Sequence, residues 1–342
     1  MMKPIGENRL GASVAKMSNI SFINLTMLAA LLVLFALACM AVPGFFSLVM
    51  LQNLVSNYWY VILLGIGVTY LLIAGYFDMS VGGQVGMAGV LSVYFCQTNT
   101  STASELSQGL NMPYGWAIAL TILCCMGIAG INAFFIAKLK VASIIVTLGT
   151  MSLARGIAQI VTMGSQRNTG LPDIYGVIGN TLIPGTQMKA IVLIMIALVI
   201  FAIFIEKKTT FGRRTYLIGA NPMAAKLSGI KLVKHVTLLY MISAFLCAIT
   251  GIFLASEFMA GFSNRGAGYE FDALVITLLG GTSITGGFGS IIGTVIGAMI
   301  ISVVTSTATG LLLSPEWQFI IKGVATFVAI LAQRFALERR RR

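Results

Sequence analysis

Residues 25–77 read LTMLAALLVLFALACMAVPGFFSLVMLQNLVSNYWYVILLGIGVTYLLIAGYF, and none of them carries a charge. Uncharged apolar runs of about 18 residues or more are candidates for membrane-spanning helices, because a helix needs about 20 residues to cross the hydrocarbon core of a bilayer. This run is long enough for two such helices. The stretch therefore predicts that the chain is embedded in a membrane.

The composition of the whole chain supports the same prediction. Hydrophobic residues make up 58% of its 342 residues, and Asp, Glu, Lys and Arg together make up 9%. A soluble domain carries about 25% charged residues, so a water-exposed surface could not be built from this chain. The net charge of +12 does not indicate nucleic acid as a partner, because the positive residues lie at span ends and in one loop without the interleaved aromatic residues that stack bases. The five cysteines lie in apolar segments without metal-ligand spacing, and no metal site is predicted.

The apolar segments predict an all-α, polytopic membrane protein with about ten transmembrane helices (8–10) in a single domain, residues 1–342. The predicted spans lie near residues 22–42, 58–75, 81–97, 115–137, 141–163, 189–205, 235–257, 273–281, 290–310 and 316–333. The segment 273–281 is too short to cross about 30 Å as a helix, which predicts a broken helix buried in protein. Spans two to five and seven to ten form two groups offset by five spans, which predicts the inverted-repeat architecture of transporters.

The distribution of positive charge predicts the orientation. Ten crossings with the N-terminus inside place six segments in the cytoplasm: 1–21, 76–80, 138–140, 206–234, 282–289 and 334–342. Four of them hold three (1–21), two (138–140), seven (206–234) and five (334–342) positive residues, which is 17 of the 22 Lys and Arg residues in the chain. Because cytoplasmic loops carry an excess of Lys and Arg, we predict that the N-terminal tail, the long loop and the basic C-terminal tail are all cytoplasmic.

The long loop 206–234 reads EKKTTFGRRTYLIGANPMAAKLSGIKLVK. Asn221 followed by Pro222 is typical of a helix start, with Asn as the N-cap and Pro at the first helical position. A short helix over 223–228 is then predicted, and Gly229 is suited to end it. Two interpretations are open: a docking element, or a basic surface loop. For docking, the candidate residues are Gly219, Asn221, Ala224, Ala225, Ser228 and Gly229, and the small ones among them are expected to face the partner.

A second informative segment, IAGYFDMSVGGQVG, covers residues 73–86. Asp78 and Ser80 could line a polar path, or Asp78 could cap the third helix, and both interpretations are open. Gly82 and Gly86 lie four residues apart, which favours close helix packing. Charges inside apolar spans are costly and usually functional. We therefore predict an interior partner for Arg155, whereas Lys322 could extend to the membrane interface.

The third segment, RGAGYEFDALVITLLGGTSITGGFGSIIGTVIGAMI, covers residues 265–300. Its paired glycines break the helical pattern. The four-residue spacing of Gly289, Gly293 and Gly297 then predicts a tightly packed helix face. Further candidates for a translocation path or gate are Glu270, Asp272, Thr282 and Ser283.

These three segments resemble the permease subunits of monosaccharide ATP-binding-cassette importers, the ribose and arabinose group. The family pattern xSGxFDLSVG appears here as residues 74–82, with Ala in place of Ser at 74. The pattern FGRxxxAIGGNxxAAxLSGI appears at 211–230, with Ala in place of Gly at 220. The pattern GxGYELDAIxxxxLGGTSLxGGxG appears at 266–289, with Phe in place of Leu at 271. The three ordered motifs extend over most of the chain.

The resemblance implies a bacterial inner-membrane protein, surrounded by lipid, that pairs with a second permease as a homodimer or heterodimer. It implies two further partners: a cytoplasmic ATPase, which would contact the loop 206–234, and an extracytoplasmic sugar-binding protein. It also implies that this chain binds no cofactor, while the ATPase uses ATP and Mg²⁺. The sequence contains no GxxxxGK[ST] phosphate loop, in agreement with this division of labour.

Two other classes of protein are alternatives. A secondary transporter or channel for a small polar solute would be expected to hold coupling-ion carboxylates inside its spans, and Asp78 alone is near one. A membrane enzyme would need a catalytic constellation, and the single histidine, His235, borders the basic loop. The residues therefore favour a permease over an enzyme.

Overall fold

The computed structural model describes residues 7–99, 108–314, 316–318, 320–324 and 327, with side chains from residue 24 onwards. The predicted span 316–333 is described only in part, the C-terminal tail 334–342 lies outside the described residues, and of the N-terminal tail 1–21 the structure describes the helical backbone of 7–21. The helices named here are Glu7–Ala41 (α1), Leu48–Ser56 (α2), Trp59–Ile73 (α3), Val81–Cys96 (α4), Tyr114–Ala133 (α5), Ser143–Thr162 (α6), Ile174–Asn180 (α7), Ala190–Lys208 (α8), Thr210–Ala220 (α9), Pro222–Leu227 (α10), Leu232–Phe258 (α11), Tyr269–Leu279 (α12) and Ile291–Gly310 (α13).

Six of these helices are long and apolar enough to cross a membrane: α1, α5 with its π-helical continuation to Lys138, α6, α8, α11 and α13. The pair α2–α3 passes the same test as one span with a 44° bend between the two helices. The predicted all-α, polytopic membrane fold is thus confirmed. Three predicted spans are shorter than a full crossing in the structure, namely α3, α4 and α12, whose lengths are 15, 16 and 11 residues.

Two of these short helices, α3 and α12, end at a glycine in the left-handed conformation. Gly75, just after α3, and Gly281, just after α12, both have a φ of +83°. This left-handed conformation is accessible to glycine and ends a helix. The chain then continues without helix from 74 to 80 and from 280 to 290 before the next helix begins. Irregular backbone of this kind is tolerated in a membrane protein where surrounding helices bury it.

The helix α11 is the centre of the fold. It packs against α3, α4, α5 and α7, and most of its second half is buried. Small residues make this possible: the Cα of Ser243 approaches Gly67 of α3, and Gly251 lies against Gly89 of α4. Small residues at helix contacts let backbones approach closely inside a membrane. By contrast, the described side chains of α1 are mostly exposed, and this helix packs mainly on α13.

The predicted glycine face of α13 is confirmed at two of its three positions. A Cβ atom at Gly293 would overlap the carbonyl oxygen of Gly280, and one at Gly297 would overlap that of Ile276. The placement of Gly289 on this face was wrong, because α13 begins only at Ile291. Ser290 is the N-cap of α13, and its Oγ accepts a hydrogen bond of 3.0 Å from the amide of Gly293.

Replacing Gly293 with Leu is expected to lower the thermal stability of the detergent-solubilised protein, because the added side chain cannot fit between α13 and Gly280. Overpacking of this kind costs about 1–3 kcal/mol. Gly127→Leu is the matched control, since nothing lies within 4 Å of a Cβ built at Gly127 in α5. A melting temperature for Gly293→Leu equal to that of Gly127→Leu would contradict the packing shown by the structure.

The two short helices α4 and α12 begin next to each other. A Cβ at Gly82, in the first turn of α4, would overlap the carbonyl oxygen of Gly266 and the carboxylate of Glu270. Gly86 likewise lies against the carbonyl oxygens of Ser263 and Arg265. The close packing predicted at Gly82 and Gly86 is therefore present. The two glycines were expected to pack against another helix, but they pack against the non-helical segment that precedes α12. Paired short helices that start within the bundle are typical of inverted-repeat transporters.

Candidate functional site

A group of buried polar side chains lies where α4 begins. We call it the central polar cluster; its members are Asp78, Ser80, Gln84, Asn132, Thr150 and Ser243, all of which are buried. Ser243 is near the middle of the 27-residue helix α11, so the cluster lies about halfway along the longest described helix of the core. Polar groups at this depth are expensive to bury, and in membrane proteins they usually mark functional sites.

Asp78 is held by serines from two parts of the chain. Its Oδ2 accepts a hydrogen bond of 2.8 Å from Ser243 Oγ, and its Oδ1 accepts one of 3.0 Å from the Ser80 amide. The hydroxyl of Ser80 also donates to Oδ1. The capping interpretation of Asp78 holds in part: the N-cap of α4 is Ser80, whose side chain makes no capping bond, but Asp78 does accept a backbone amide at the start of that helix. The carboxylate also joins the start of α4 to α11.

Amide side chains extend the central polar cluster towards α5 and α6. Gln84 Nε2 and Asn132 Nδ2 donate to Ser80 Oγ over 2.8 and 3.1 Å. Thr150 Oγ1 in turn donates to Asn132 Oδ1 over 2.7 Å. Gln84 Oε1 accepts no hydrogen bond within the described part of the chain. The cluster thus connects four helices and retains an acceptor that is not used.

Two ion pairs lie at the start of α12, and one of them, that of Glu270, lies against Gly82 of α4. Arg155 Nη2 lies 3.0 Å from Glu270 Oε1, and the Glu270 side chain is only 4% exposed. The predicted interior partner of Arg155 is confirmed. Lys322 Nζ lies 2.9 Å from Asp272 Oδ1, so Lys322 has a protein partner. Both acidic residues lie in the first turn of α12, where the helix dipole also favours negative charge.

The candidates Thr282 and Ser283 lie elsewhere. They follow the C-terminal end of α12, where Thr282 is buried against Gly289 and Ser283 Oγ is 2.9 Å from Thr285 Oγ1. The structure therefore brings Asp78, Ser80, Arg155 and Glu270 close to the start of α4, whereas Thr282 and Ser283 lie near the start of α13.

The segment 206–234 is largely helical. α8 continues to Lys208, and α9 and α10 occupy most of the remaining residues. Asn221 Oδ1 accepts a hydrogen bond of 3.0 Å from the Ala224 amide, Pro222 is the first residue of α10, and Gly229 has a φ of +80°. The predicted capped helix is confirmed. α9 was not predicted, although Thr209 is its N-cap, with Oγ1 accepting from the Gly212 amide at 3.3 Å.

One face of the α9–α10 segment, residues 209–229, packs against the rest of the protein. Gly219 lies so close to Ile73 and Gly287 that a Cβ would overlap the carbonyl oxygen of Ile73. The Gly287 amide donates to that same oxygen over 2.7 Å. Ala225 is 3% exposed and belongs to the main core. The expectation that Ala225 faces a partner was therefore wrong, because α10 turns this residue towards the core of its own chain.

The opposite side of the α9–α10 segment is exposed and carries apolar side chains among basic ones, Arg213, Arg214 and Lys226. Leu227 is 82% exposed, Met223 is 67% exposed, and Leu217 is also exposed. Ala224 and Ser228 are exposed as well, so two of the small residues predicted to face a partner lie on the outside. The helix is thus anchored on one side and exposes leucine and methionine side chains on the other. Such a helix is suited to bind a groove on another protein.

Glu206 and Tyr216 connect the α9–α10 segment to α13. The Tyr216 hydroxyl lies 2.7 Å from Glu206 Oε1 and 2.7 Å from the carbonyl oxygen of Gly289, so its single proton is shared between two acceptors. Glu206 Oε2 accepts a hydrogen bond of 3.0 Å from the Ile291 amide, at the first residue of α13. Burial, followed by the nearby Glu206 carboxylate, raises the pKa of Tyr216, which keeps the phenol protonated as a donor.

Neither Glu206 nor Tyr216 was among the predicted site residues. Glu206 was placed at the edge of a basic loop, whereas the structure buries it. His235 is also buried, where it is 2.9 Å from Thr215 Oγ1 and stacks on Phe211 at 4.6 Å between ring centroids. These contacts give the histidine a structural role in holding α9 against α11.

Comparisons with known proteins agree on the class of this chain. The family model described as branched-chain amino acid transport system / permease component matches residues 49–330. The ribose import permease protein of Haemophilus influenzae is 32% identical over 311 residues, which cover 90% of this chain and 91% of the relative. The galactose/methyl galactoside import permease protein of Escherichia coli is 31% identical over 306 residues, covering 88% and 90%. The ribose import permease protein of Bacillus subtilis is 31% identical over 294 residues, covering 85% and 87%. No solved structure gives a significant match.

Proposed function

The chain belongs to the family of branched-chain amino acid transport system permease components, and from this membership we propose that it forms the membrane path for a monosaccharide in an ATP-driven importer. The three relatives support a sugar as the substrate, since their names specify ribose and galactose or methyl galactoside. The sequence has no phosphate loop, so ATP and Mg²⁺ are used by a separate ATPase subunit.

The α9–α10 segment is the proposed contact with that ATPase. The observation that carries the proposal is its two-sided character: Ala225 and Gly219 anchor it to the permease, while Leu227 and Met223 are exposed. The seven positive residues of 206–234 support a cytoplasmic location for it. Both termini are then cytoplasmic as well, in a bacterial inner membrane. A sugar-binding protein would dock on the opposite end, and a second permease, identical or related, would complete the path.

The contacts of the α9–α10 segment suggest how ATPase movement reaches the path. Gly219 touches the end of α3 next to the 74–80 segment, and Tyr216 bonds to Gly289 just before α13. A displacement of α9 would therefore move two irregular segments: residues 74–80, which include Asp78 and Ser80 of the central polar cluster, and residues 280–290. Packed elements with two discrete arrangements convert such a shift into alternating inward and outward states. ATP binding and sugar release would be linked equilibria.

The proposed function predicts that sugar uptake depends strictly on ATP. Vesicles reconstituted with the permease, the ATPase and the binding protein should take up radiolabelled ribose or galactose only when ATP is supplied on the α9–α10 side. An ATPase variant that binds but does not hydrolyse ATP is the control, and it should stop uptake. Uptake by the permease alone, driven by an ion gradient without ATP, would contradict the proposal and favour a secondary transporter.

A further inference from the structure

A cavity lies at the end of the protein opposite the α9–α10 segment. It has a volume of about 390 Å³ and is lined by Phe262, Asn264, Arg265, Gly266, Ala267 and Tyr269. Five of them belong to the connection between α11 and α12, and Tyr269 is the first residue of α12. Ligand sites in proteins have volumes of about 300–1,000 Å³, so this cavity is at the small end of the range and has room for one sugar ring.

The aromatic and cationic groups at the cavity are held in place by neighbours. The guanidinium of Arg265 lies 3.9 Å from the ring centroid of Phe258 and 5.3 Å from that of Phe262. The ring of Tyr269 packs on Tyr60 of α3, with 4.7 Å between centroids. Cation–π contacts and aromatic pairs of this kind fix the direction in which donors point. The cavity walls are therefore partly preorganised before a ligand arrives.

The chemistry of the lining fits a neutral polyhydroxylated ligand. Arg265 forms no ion pair with any described carboxylate. Its guanidinium interacts with the Tyr269 hydroxyl, and its other N–H groups can donate charge-assisted hydrogen bonds to hydroxyl oxygens of a ligand. The Asn264 amide, which is exposed, both donates and accepts. Phe262 and Tyr269 supply apolar faces for the C–H side of a sugar ring. Arg265 is the one cationic residue among those that line the cavity. One cation is better suited to bind hydroxyl groups of a neutral ligand than a phosphate group.

The wall of the cavity packs against the start of α4, next to the central polar cluster. The backbone of Gly266 lies against that of Gly82 in the first turn of α4. Glu270, one residue after the last lining residue, contacts Gly82, and its Oε2 has no hydrogen-bond partner within the described part of the chain. From there the central polar cluster continues inwards. A ligand leaving the cavity would thus meet an unused carboxylate oxygen at the start of a buried polar route.

We propose that the cavity formed by residues 262–269 is the site that receives a monosaccharide released by the external binding protein, before the sugar passes Glu270. This proposal rests on the proposed function of sugar import. Asn264 and Arg265 bind the hydroxyl groups, Phe262 and Tyr269 contact the ring, and the left-handed Gly266 and Gly268, with φ of +89° and +86°, shape the backbone around the sugar.

Filling the cavity tests the proposal in the complete importer. Ala267 is exposed and lines the cavity, so Ala267→Trp should fill the space without disturbing the core. We expect ribose or galactose uptake into ATP-loaded vesicles to fall about tenfold or more, as for the loss of a few ligand contacts. Gln187→Trp is the matched control, because it places the same indole at an exposed position of the predicted outer loop 164–188. Normal uptake by Ala267→Trp would overturn the proposal.

A second variant gives a measurement that misfolding would not mimic. Arg265→Met keeps the length of the side chain but removes its hydrogen-bond donors. The sugar imported per ATP hydrolysed is expected to fall about tenfold, the usual effect of losing hydrogen bonds from a charged donor, while stimulation of the ATPase by the binding protein persists. An unchanged ratio in Arg265→Met would overturn the proposal. Failure of the proposed function gives a different result, because the unmodified importer would then take up neither ribose nor galactose. Failure of the cavity proposal alone would leave uptake intact in both the unmodified importer and the variants.

Discussion

Replacing Leu227 with Glu is expected to abolish ATP-driven uptake while the permease remains folded in the membrane. Leu227 is the most exposed apolar side chain of the α9–α10 segment, and in the proposed complex it enters a groove of the ATPase. A central apolar contact of this type contributes about 2 kcal/mol or more to binding, and an unpaired charge in its place adds a further penalty. Co-purification of the ATPase with the permease should fall by about 30-fold or more.

Leu312→Glu is the control for this experiment. Leu312 is also highly exposed, but it follows α13 at the end of the protein away from the α9–α10 segment. The same charge at this position should leave the ATPase bound. Ala225→Arg is a useful contrast, since Ala225 is buried within the permease and its replacement should lower the amount of folded protein. Full transport by Leu227→Glu with its ATPase bound would show that the exposed face is not the docking surface.

Replacing Tyr216 with Phe is expected to separate ATP hydrolysis from transport. The variant loses the hydroxyl that joins Glu206 of α8 to Gly289 before α13, with distances of 2.7 Å to each. If this contact transmits movement of α9, the sugar imported per ATP hydrolysed should fall about tenfold, as for the loss of one or two buried hydrogen bonds from the coupled state. The ATPase should still bind and hydrolyse ATP, because Leu227 and Met223 are unchanged.

Tyr70→Phe is the matched control for the coupling experiment. Tyr70 also donates one buried hydrogen bond, of 2.6 Å, to the carbonyl oxygen of Ala202 in α8. It lies near Glu206 and packs on Phe211 of α9, but its hydroxyl has no hydrogen bond to Gly289 among the described contacts. Both variants should lose about 0.5–1.5 kcal/mol of stability, which removes stability as an explanation for any difference between them. Equal coupling ratios in Tyr216→Phe and Tyr70→Phe would show that the bond to Gly289 plays no special part.

The features predicted best from the sequence depend on local chemistry. The start of α10 is specified by Asn221 and Pro222, because the capping hydrogen bond spans only the four residues 221–224. The structure has the same cap. An interior partner for Arg155 was predicted from the energetic cost of a charge within an apolar span alone. Its identity, Glu270, lies 115 residues away and was not predictable. The length of α12 was also anticipated, because the paired glycines that end it are visible in the sequence.

The features that were missed depend on contacts between distant segments. Glu206 follows an apolar span and precedes two lysines, which suggested solvent, yet its partner amide is 85 residues away at Ile291. The inward direction of Ala225 could not be predicted either, since a six-residue helix is too short for its apolar pattern to define a buried face. Gly289 was assigned to α13 by spacing alone, although Ser290 is a strong N-cap signal that places the helix start after it.

The eleven residues of α12 have a consequence for how the protein is made. At 1.5 Å per residue this helix is about 16 Å long, roughly half of the hydrocarbon thickness. It also carries Glu270 and Asp272 in its first turn, so it would not partition into lipid as an independent segment during synthesis. Burial of its two carboxylates is compensated only when Arg155 and Lys322 form ion pairs with them. We therefore expect α12 to enter the membrane late, after α6 is in place and the residues beyond α13 have been synthesised, so that its insertion depends on segments from both halves of the chain.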